Sequence, residues 1–297
     1  MKRSFRSGCI ALMTLWMWTE HPVQAQEYES WPYCPIVDAL PRTAANLEIG
    51  IVTREKVQGK KKGSFGLVEE RAEAELAFFE LDVGSLSFNG ILNTWLTLGG
   101  ELIAVPAQFG EVALRTRADF RTWSGMTFRG DFTPGIYSDL TEFKGGAFAV
   151  PFALSVIQTL DPTLAVQGGV RFYPGFHRTW EPLVGVRWTP VESLTLDLFY
   201  PESLLALQID SDWALLTGFS WDRVRDMDLG DSDARKRVRF EESRLFLGVD
   251  RSLGEGLLLM VRGGYVLDRR VIFKAGSAGR YNVDDGFFGS VGIGATF

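Results

Sequence analysis

The C-terminal segment, residues 285–297, constrains the fold of this chain more than any other stretch. Counting back from Phe297, every second residue is apolar or glycine, and the residues between are mostly small or polar. A period of two predicts a β-strand. Its apolar face continues to the last residue, where soluble domains usually fray into polar residues.

An aromatic residue at the end of such a strand resembles the closing strand of bacterial outer-membrane β-barrels, where it serves as an assembly signal. The resemblance implies that the barrel assembly machinery would recognise the strand ending at Phe297. The alternative is the terminal strand of a soluble β-sandwich, because alternation in one segment is a weak signal.

The N-terminus has the features of a secretory signal peptide. A basic segment, residues 1–6, precedes an apolar run, residues 9–18, that is too short to span a bilayer as a helix. Val23-Gln24-Ala25 supplies small residues for a signal peptidase, so we expect residues 1–25 to be removed and the chain to be exported through the general secretion pathway.

The charge and cysteine content of the mature chain exclude several classes. Of 31 basic and 37 acidic residues, 28 and 36 remain after residue 25, a net charge of −8. An acidic exported protein is not expected to bind nucleic acid. Cys34 is the single remaining cysteine, so no intramolecular disulfide can form and a spare thiol is expected.

The composition suits a barrel with apolar residues on alternate positions. The chain is 46% hydrophobic and contains 22 Phe and 9 Trp, yet its mean hydropathy is only +0.03. No run after residue 25 approaches the roughly 20 apolar residues of a membrane helix. This is expected if lipid-facing and lumen-facing residues alternate.

The expected fold is all-β, a transmembrane antiparallel up-and-down barrel of about 12 strands, with 10 to 14 allowed by the pattern. Thirteen segments alternate like strands, and bacterial barrels have even numbers. We therefore place the barrel at residues 65–297. Residues 26–64 are predicted to be a periplasmic extension or partial plug, with the short strand Leu47–Thr53 outside the barrel.

The expected connections sort by length. Long loops at about 123–143, 174–181, 223–236 and 271–284 fall on one side, and short turns at 158–162, 189–192, 210–212 and 251–256 fall on the other. Outer-membrane barrels have this asymmetry, with long loops outside the cell. A soluble sandwich has no reason to sort its loops, so the pattern favours a bacterial outer-membrane location.

Four motifs resemble an uncharacterised family of outer-membrane β-barrel proteins, filed as a domain of unknown function. They are Pro134-Gly-Ile-Tyr-Ser-Asp139, Pro182-Leu-Val-Gly-Val-Arg-Trp-Thr-Pro190, Phe199-Tyr-Pro201 and Gly264-Tyr-Val-Leu-Asp-Arg-Arg270. The resemblance covers residues 110–297. It implies the fold and the outer-membrane location, and it implies no activity.

With the apolar set facing lipid, the opposite parity gives the residues that line the lumen. They are Glu69, Arg71, Glu73, Glu75, Arg115, Arg117, Asp119, Arg121, Gln167, Arg171, Arg187, Asp197 and Arg262. The expected aromatic girdles contain Trp213, Trp221, Tyr265 and Phe297. Charges facing lipid would cost up to a few kcal/mol each, which supports this assignment of faces.

Three functions remain open. An acidic wall opposite a basic wall would form a passive channel for small polar or anionic solutes. The same residues could instead pair across a narrow lumen and give a closed structural or surface-binding barrel. An enzyme is disfavoured, because His177 is the only histidine after the signal peptide and no nucleophile or metal motif accompanies it. No cofactor and no metal ion are expected.

Overall fold

The chain folds into a closed antiparallel barrel of 14 strands in the computed structural model. The structure describes residues 44–59, 63–99, 105–139, 147–176, 179–228, 237–274 and 279–295. The predicted signal peptide and Cys34 lie outside these residues. The described residues contain no helix that is long and apolar enough to cross a membrane.

The strands follow one another around the barrel in chain order. They are β1 (Ala45–Lys56), β2 (Ser64–Leu81), β3 (Gly84–Gly99), β4 (Gln108–Arg121), β5 (Met126–Phe132 with Gly135–Ser138), β6 (Phe148–Ala149 with Phe152–Asp161), β7 (Leu164–Phe172), β8 (Trp180–Val191), β9 (Leu194–Tyr200), β10 (Glu202–Gln208), β11 (Trp213–Asp228), β12 (Arg237–Gly254), β13 (Leu257–Lys274) and β14 (Arg280–Asn282 with Gly286–Ala295).

Strand β1 closes the barrel, so the expectation that Leu47–Thr53 lies outside it is wrong. Leu47 is paired with Ala72 on β2 and with Ile293 on β14, and the pairing continues along both neighbours. Without β1, the barrel would expose two unpaired edges, and closure removes them. The barrel therefore begins at Ala45 rather than at residue 65.

Strand β5 was missed by the sequence analysis, which assigned residues 123–143 to a loop. Met126–Phe132 pairs with β4 and β6, and Gly135–Ser138 continues the strand after an interruption at Pro134. Proline removes a backbone donor, and Pro-Gly is a usual sign of a loop. Adding β5 to the 13 segments gives 14 strands, which corrects the expected number of about 12.

The connections sort by length as the sequence predicts. Turns of two or four residues join β2–β3, β4–β5, β6–β7, β8–β9, β10–β11 and β12–β13 at one end of the barrel, which we call the short-turn end. Loops of five to nine residues join the other pairs at the opposite, long-loop end. The exception is β9–β10, which are joined at the long-loop end by Pro201 alone.

The outer face of the barrel is predominantly apolar. Many large apolar side chains around the circumference are about half exposed or more, among them Leu47, Ile51, Val112, Leu247 and Val291. Glu70 is an acid in this outward set, and it accepts a hydrogen bond from Thr94 Oγ1 at 2.8 Å. An apolar exterior of this extent on a closed barrel suits contact with lipid.

A buried apolar cluster fills the interior at the long-loop end, and we call it the cap core. Phe240 on β12 stacks on Phe65 at 5.5 Å between ring centroids and meets Phe109 edge-on at 5.0 Å. At the long-loop end, the C-terminal end of β11 reaches the end of β5 on another side of the barrel, where Asp139 N donates to Asp228 O at 3.2 Å. The cap core consists of Val52, Val57, Phe65, Leu67, Trp95, Val105, Phe109, Tyr137, Ala149, Phe176, Met227, Val238, Phe240, Val266, Val271, Phe273 and Val283.

Candidate functional site: a charged chamber inside the barrel

Beneath the cap core the lumen widens into a chamber of about 570 Å³. Its roof includes Trp95, Tyr137, Phe176 and Met227 of the cap core. Its charged lining comes from seven strands and consists of Glu48, Arg71, Glu73, Glu111, Arg115, Arg117, Asp131, Arg171, Glu181 and Glu202. The volume is in the range of pockets that hold small molecules.

The alternation of each strand explains why these charges converge. On β4, Arg115 and Arg117 face inward while Leu114 is exposed on the outer face. Arg71 and Glu73 take the same parity on β2. A period of two places every second side chain in the lumen, and closure of the barrel brings β2 opposite to strands that are remote in sequence.

Three of the four chamber arginines donate hydrogen bonds to carboxylates, and the fourth, Arg71, has its Nη2 at 3.9 Å from Glu69 Oε2. Arg115 Nη1 donates to Glu73 Oε1 at 2.8 Å, and Arg117 Nε donates to Asp131 Oδ1 at 2.7 Å. Arg171 Nη1 donates to Glu181 Oε1 at 2.9 Å. The expected acidic and basic walls are therefore cross-linked, and an anion would compete with a resident carboxylate for each of these arginines.

The remaining acids give the chamber an excess of negative charge. Glu48, Glu111 and Glu202 line it, and none of them forms an ion pair within the part of the chain that the structure describes. Glu111 accepts a hydrogen bond from Asn93 Nδ2 at 2.7 Å. Six acids and four arginines line the chamber, a formal excess of two negative charges.

A buried ionic triad lies beside the chamber. Arg244 on β12 donates Nη1 and Nη2 to Glu69 on β2 at 3.0 and 2.7 Å, and Nε to Glu242 at 2.7 Å. The three side chains are only 4–6% exposed. The guanidinium also lies over the ring of Phe288, at 4.8 Å from the centroid. This triad ties β12 to β2 across the interior.

Asp119, Arg187, Asp197 and Arg262, which the sequence also places in the lumen, form ion pairs between neighbouring strands. Arg129 donates to Asp119 at 2.8 and 2.7 Å, and Arg262 donates to Asp250 at 2.5 Å. Arg187 donates to Asp197 at 2.5 and 2.7 Å. Gln167 is the backbone register partner of the buried Ile157 on the neighbouring strand. Glu75 is half-buried beside a bulge in β2. Arg121 is exposed at the short-turn end of β4. These residues are not part of the chamber lining.

Several functional residues were missed by the sequence analysis. Glu48 was assigned to the extension, and Asp131 to a loop. Glu111 has the same parity as Arg115, so the alternation of β4 already contained the signal. Glu202 follows Pro201, where the pattern breaks, and Arg244 gave no signal because its partner Glu69 is 175 residues away.

The expected girdle residues Trp213, Trp221 and Tyr265 are 36–39% exposed. Trp180, Trp188 and Phe287 are exposed aromatic side chains that the prediction omitted. Phe297 and His177 lie outside the described residues. No group of three or more potential metal ligands occurs in the described ranges.

Comparison with known proteins gives similarity to solved barrels. No family model and no curated protein matches the chain. Among solved structures, it is similar to the NanC porin, at 8% identity and a TM-score of 0.44 over 86% of this chain and 100% of that one. It is also similar to the toluene transporter TodX of Pseudomonas putida, at 11% identity and a TM-score of 0.40 over 89% of this chain and 92% of that one. The translocator domain of the autotransporter NalP of Neisseria meningitidis is similar at 12% identity and a TM-score of 0.38, over 88% of this chain and 92% of that one.

These TM-scores are below 0.5, so the similarities carry no argument about what this chain does. The resemblance to an uncharacterised family stays a prediction.

Proposed function

We propose that this protein is a bacterial outer-membrane barrel that forms a passive channel for small polar solutes and prefers cations to anions. The observation that carries the proposal is the charged chamber enclosed by an apolar barrel exterior. Large apolar side chains such as Leu247 and Val291 are exposed, whereas Arg115, Glu73 and Asp131 converge inside. A solute that enters the chamber meets polar groups on every side.

The long loops would face outward and the short turns the periplasm. Trp213 and Trp221 are eight residues apart on β11, which is about 20 Å along the barrel axis once strand tilt is included. This separation is close to the height of the apolar band of an outer-membrane barrel. It supports placing the two tryptophans at opposite membrane interfaces.

The cation preference replaces the sequence-based expectation of anionic solutes. The chamber arginines Arg115, Arg117 and Arg171 are bound by carboxylates, and the carboxylates of Glu48 and Glu202 have no such partner among the described residues. Arg71 is the remaining chamber arginine and lies 3.9 Å from Glu69, so the groups available to a solute are predominantly acidic. His177, the candidate catalytic residue, lies outside the described residues, and the proposal contains no enzymatic step.

The cap core supports a second candidate, a closed structural barrel. Phe65, Phe109 and Phe240 pack in the interior at the long-loop end, so conduction requires that the cap core move. A channel with this geometry is gated. A barrel in which the cap never opens would stabilise the membrane or present its loops without transport.

Conductance of residues 26–297 in a planar bilayer tests the proposal. Folding is verified by the heat-modifiable mobility of the barrel on gels. We expect discrete current steps and, in a salt gradient, a reversal potential that shows cation preference. A folded barrel that stays silent, both as wild type and as the cap variant Phe240→Ala, would contradict the channel and favour the structural barrel.

A further inference from the structure

The wall of the barrel is shorter at β9 and β10, which end before their neighbours at the long-loop end. Strands β9 and β10 have seven residues each, whereas their neighbours β8 and β11 have 12 and 16. Since neighbouring strands lie roughly 4.8 Å apart, β8 and β11 are about 14 Å from each other above the β9–β10 hairpin. Pro201 forms the lower border of this gap, which we call the window.

The register shows that the strands beside the window lack partners on that side. Pairing between β8 and β9 ends at Val184 with Tyr200, and Trp180–Leu183 pairs within the described strands only with β7. On the other border, β10 pairs with β11 up to Ser220, and Trp221 N donates to Pro201 O at 2.7 Å. Beyond that point β11 pairs with β12 and, at its end, with β5.

The chamber reaches the window. Pro201, Glu202, Ser220 and Trp221 belong to its lining, together with Arg71 and Glu73 of the opposite wall. Trp221 has the outward parity of Trp213 and Leu215 and is 39% exposed. A side chain on the outer face can line an interior chamber only where the wall between the two spaces is interrupted.

The cap core is built mainly from the other sides of the barrel. Its members come from β1–β6, from β11–β13, from the interruption of β14 and from connecting loops, including Phe176 before β8, and none of the described members lies on β8, β9 or β10 themselves. The cap core thus closes the axial path at the long-loop end, and the opening that the described strands leave to the chamber is lateral, through the window.

We propose that the chamber opens sideways through the window and takes a small, single-chain amphipathic amine, with its cationic head inside and its apolar tail in the window. This rests on the membrane placement in the proposed function. Glu202 and Glu48 supply acceptors for the head. Tyr200 and Trp221, whose ring centroids are 6.3 Å apart, supply an apolar border for the tail.

The position of the window relative to the girdle suits such a ligand. Trp221 and the 57% exposed Trp180 stand on its two sides. Tryptophan is enriched where a barrel meets the membrane interface. A tail that leaves the chamber here would enter the outer part of the lipid layer, whereas a solute without a tail would gain nothing from the window.

Lipid contact at the window can be measured with single fluorophores. In a Cys34→Ser background of residues 26–297, a bimane is attached at Glu202→Cys at the window, Asn93→Cys on the opposite chamber wall, or Ser203→Cys on the outer face. The variants are folded into vesicles with phospholipid brominated in its acyl chains, which quenches on contact.

We expect the probe at 202 to lose nearly as much emission as the probe at 203, while the probe at 93 stays bright. If the probe at 202 stays bright in its variant while the probe at 203 is quenched in the other, the lateral opening at the window is contradicted and the proposed channel is unaffected. A bright probe at 203 in a folded barrel would contradict the membrane placement itself. Quenching at all three positions would mean that lipid fills the chamber, and would overturn the polar head site.

The ligand class is tested by protection of a thiol that leaves Glu202 in place. Maleimide labelling of Ser220→Cys is followed with hexyltrimethylammonium, tetramethylammonium or hexanoate as the probe. We expect labelling to slow with hexyltrimethylammonium alone. Equal slowing by tetramethylammonium would remove the role of the tail, and slowing by hexanoate would overturn the preference for a cationic head.

Discussion

Arg244 and Glu69 form a two-bond ion pair across the barrel interior, with Nη1 to Oε2 at 3.0 Å and Nη2 to Oε1 at 2.7 Å. Strands β13, β14 and β1 separate their two strands around the wall. The pair therefore connects positions of the barrel that no backbone hydrogen bond joins. Because Glu242 also binds the guanidinium, one cation holds two buried carboxylates.

Arg244→Ala should lower the free energy of unfolding by about 3–5 kcal/mol, because it removes the guanidinium that binds two buried carboxylates. The measurement is urea-induced unfolding in lipid vesicles. Arg115→Ala is the matched control, since Arg115 and Glu73 are 34% and 39% exposed and such pairs contribute about 1 kcal/mol or less. Adding Glu69→Gln and Glu242→Gln to Arg244→Ala should recover part of the loss. Equal effects of Arg244→Ala and Arg115→Ala would contradict the role given to the triad.

Phe240→Ala should increase the fraction of time that the channel conducts, because Phe240 joins Phe65 and Phe109 in the cap core. Truncation of a buried phenylalanine costs about 3–5 kcal/mol, so the folded fraction must be verified on the same preparation. Single-channel recording gives the open probability. Phe128→Ala, an exposed phenylalanine on β5, is the control and should leave it unchanged.

Leu247→Arg should destabilise the barrel in a bilayer by about 2–4 kcal/mol, the range for a cation on the lipid face at mid-depth. Leu247 is 70% exposed and lies seven residues from the end of β12. Leu253→Arg, on the same strand near the β12–β13 turn, should cost about 0–1 kcal/mol. Similar costs for the two variants in vesicles would argue against the proposed membrane depth.

Arg115→Ala with Arg117→Ala should strengthen the cation preference, because Glu73 and Asp131 then lose their partners. The opposite pair, Glu73→Gln with Asp131→Asn, should shift the reversal potential toward anions. Glu73→Gln and Asp131→Asn keep nearly the same side-chain volume, so this double variant changes the charge of the chamber with little change in its width. An unchanged reversal potential in conducting channels of both variants would show that the ions do not pass through this chamber.

Much of the wall could be predicted because alternation is a local property. The polar parity of β4 places Arg115 and Arg117 inside, and the connections identified as short all fall at one end of the barrel. The pattern fails where a strand is irregular. Pro134 interrupts β5, and a bulge between Glu75 and Ala77 turns Phe78 from the expected apolar face toward the interior, where Ser87 is its partner.

The number of strands and the state of the lumen could not be predicted, because they depend on pairings between distant segments. The pattern of Leu47–Thr53 predicts a short strand but does not indicate its neighbours. Its pairing with both β2 and β14 is what places it in the barrel wall. The predicted arginine wall is neutralised because Asp131, on the missed strand β5, is the register partner of Arg117, and because Glu73 on β2 meets Arg115 on β4 across β3.

By itself, the sequence determined that this chain forms strands with one apolar and one polar face, since side chains on a strand alternate whatever its neighbours are. Only the tertiary structure decided that 14 strands close, that the cap core fills the long-loop end, and that the short β9–β10 hairpin leaves a window beside Trp221. These features follow from strand register and relative strand length. Both are set by contacts between residues far apart in the chain, which no local pattern records.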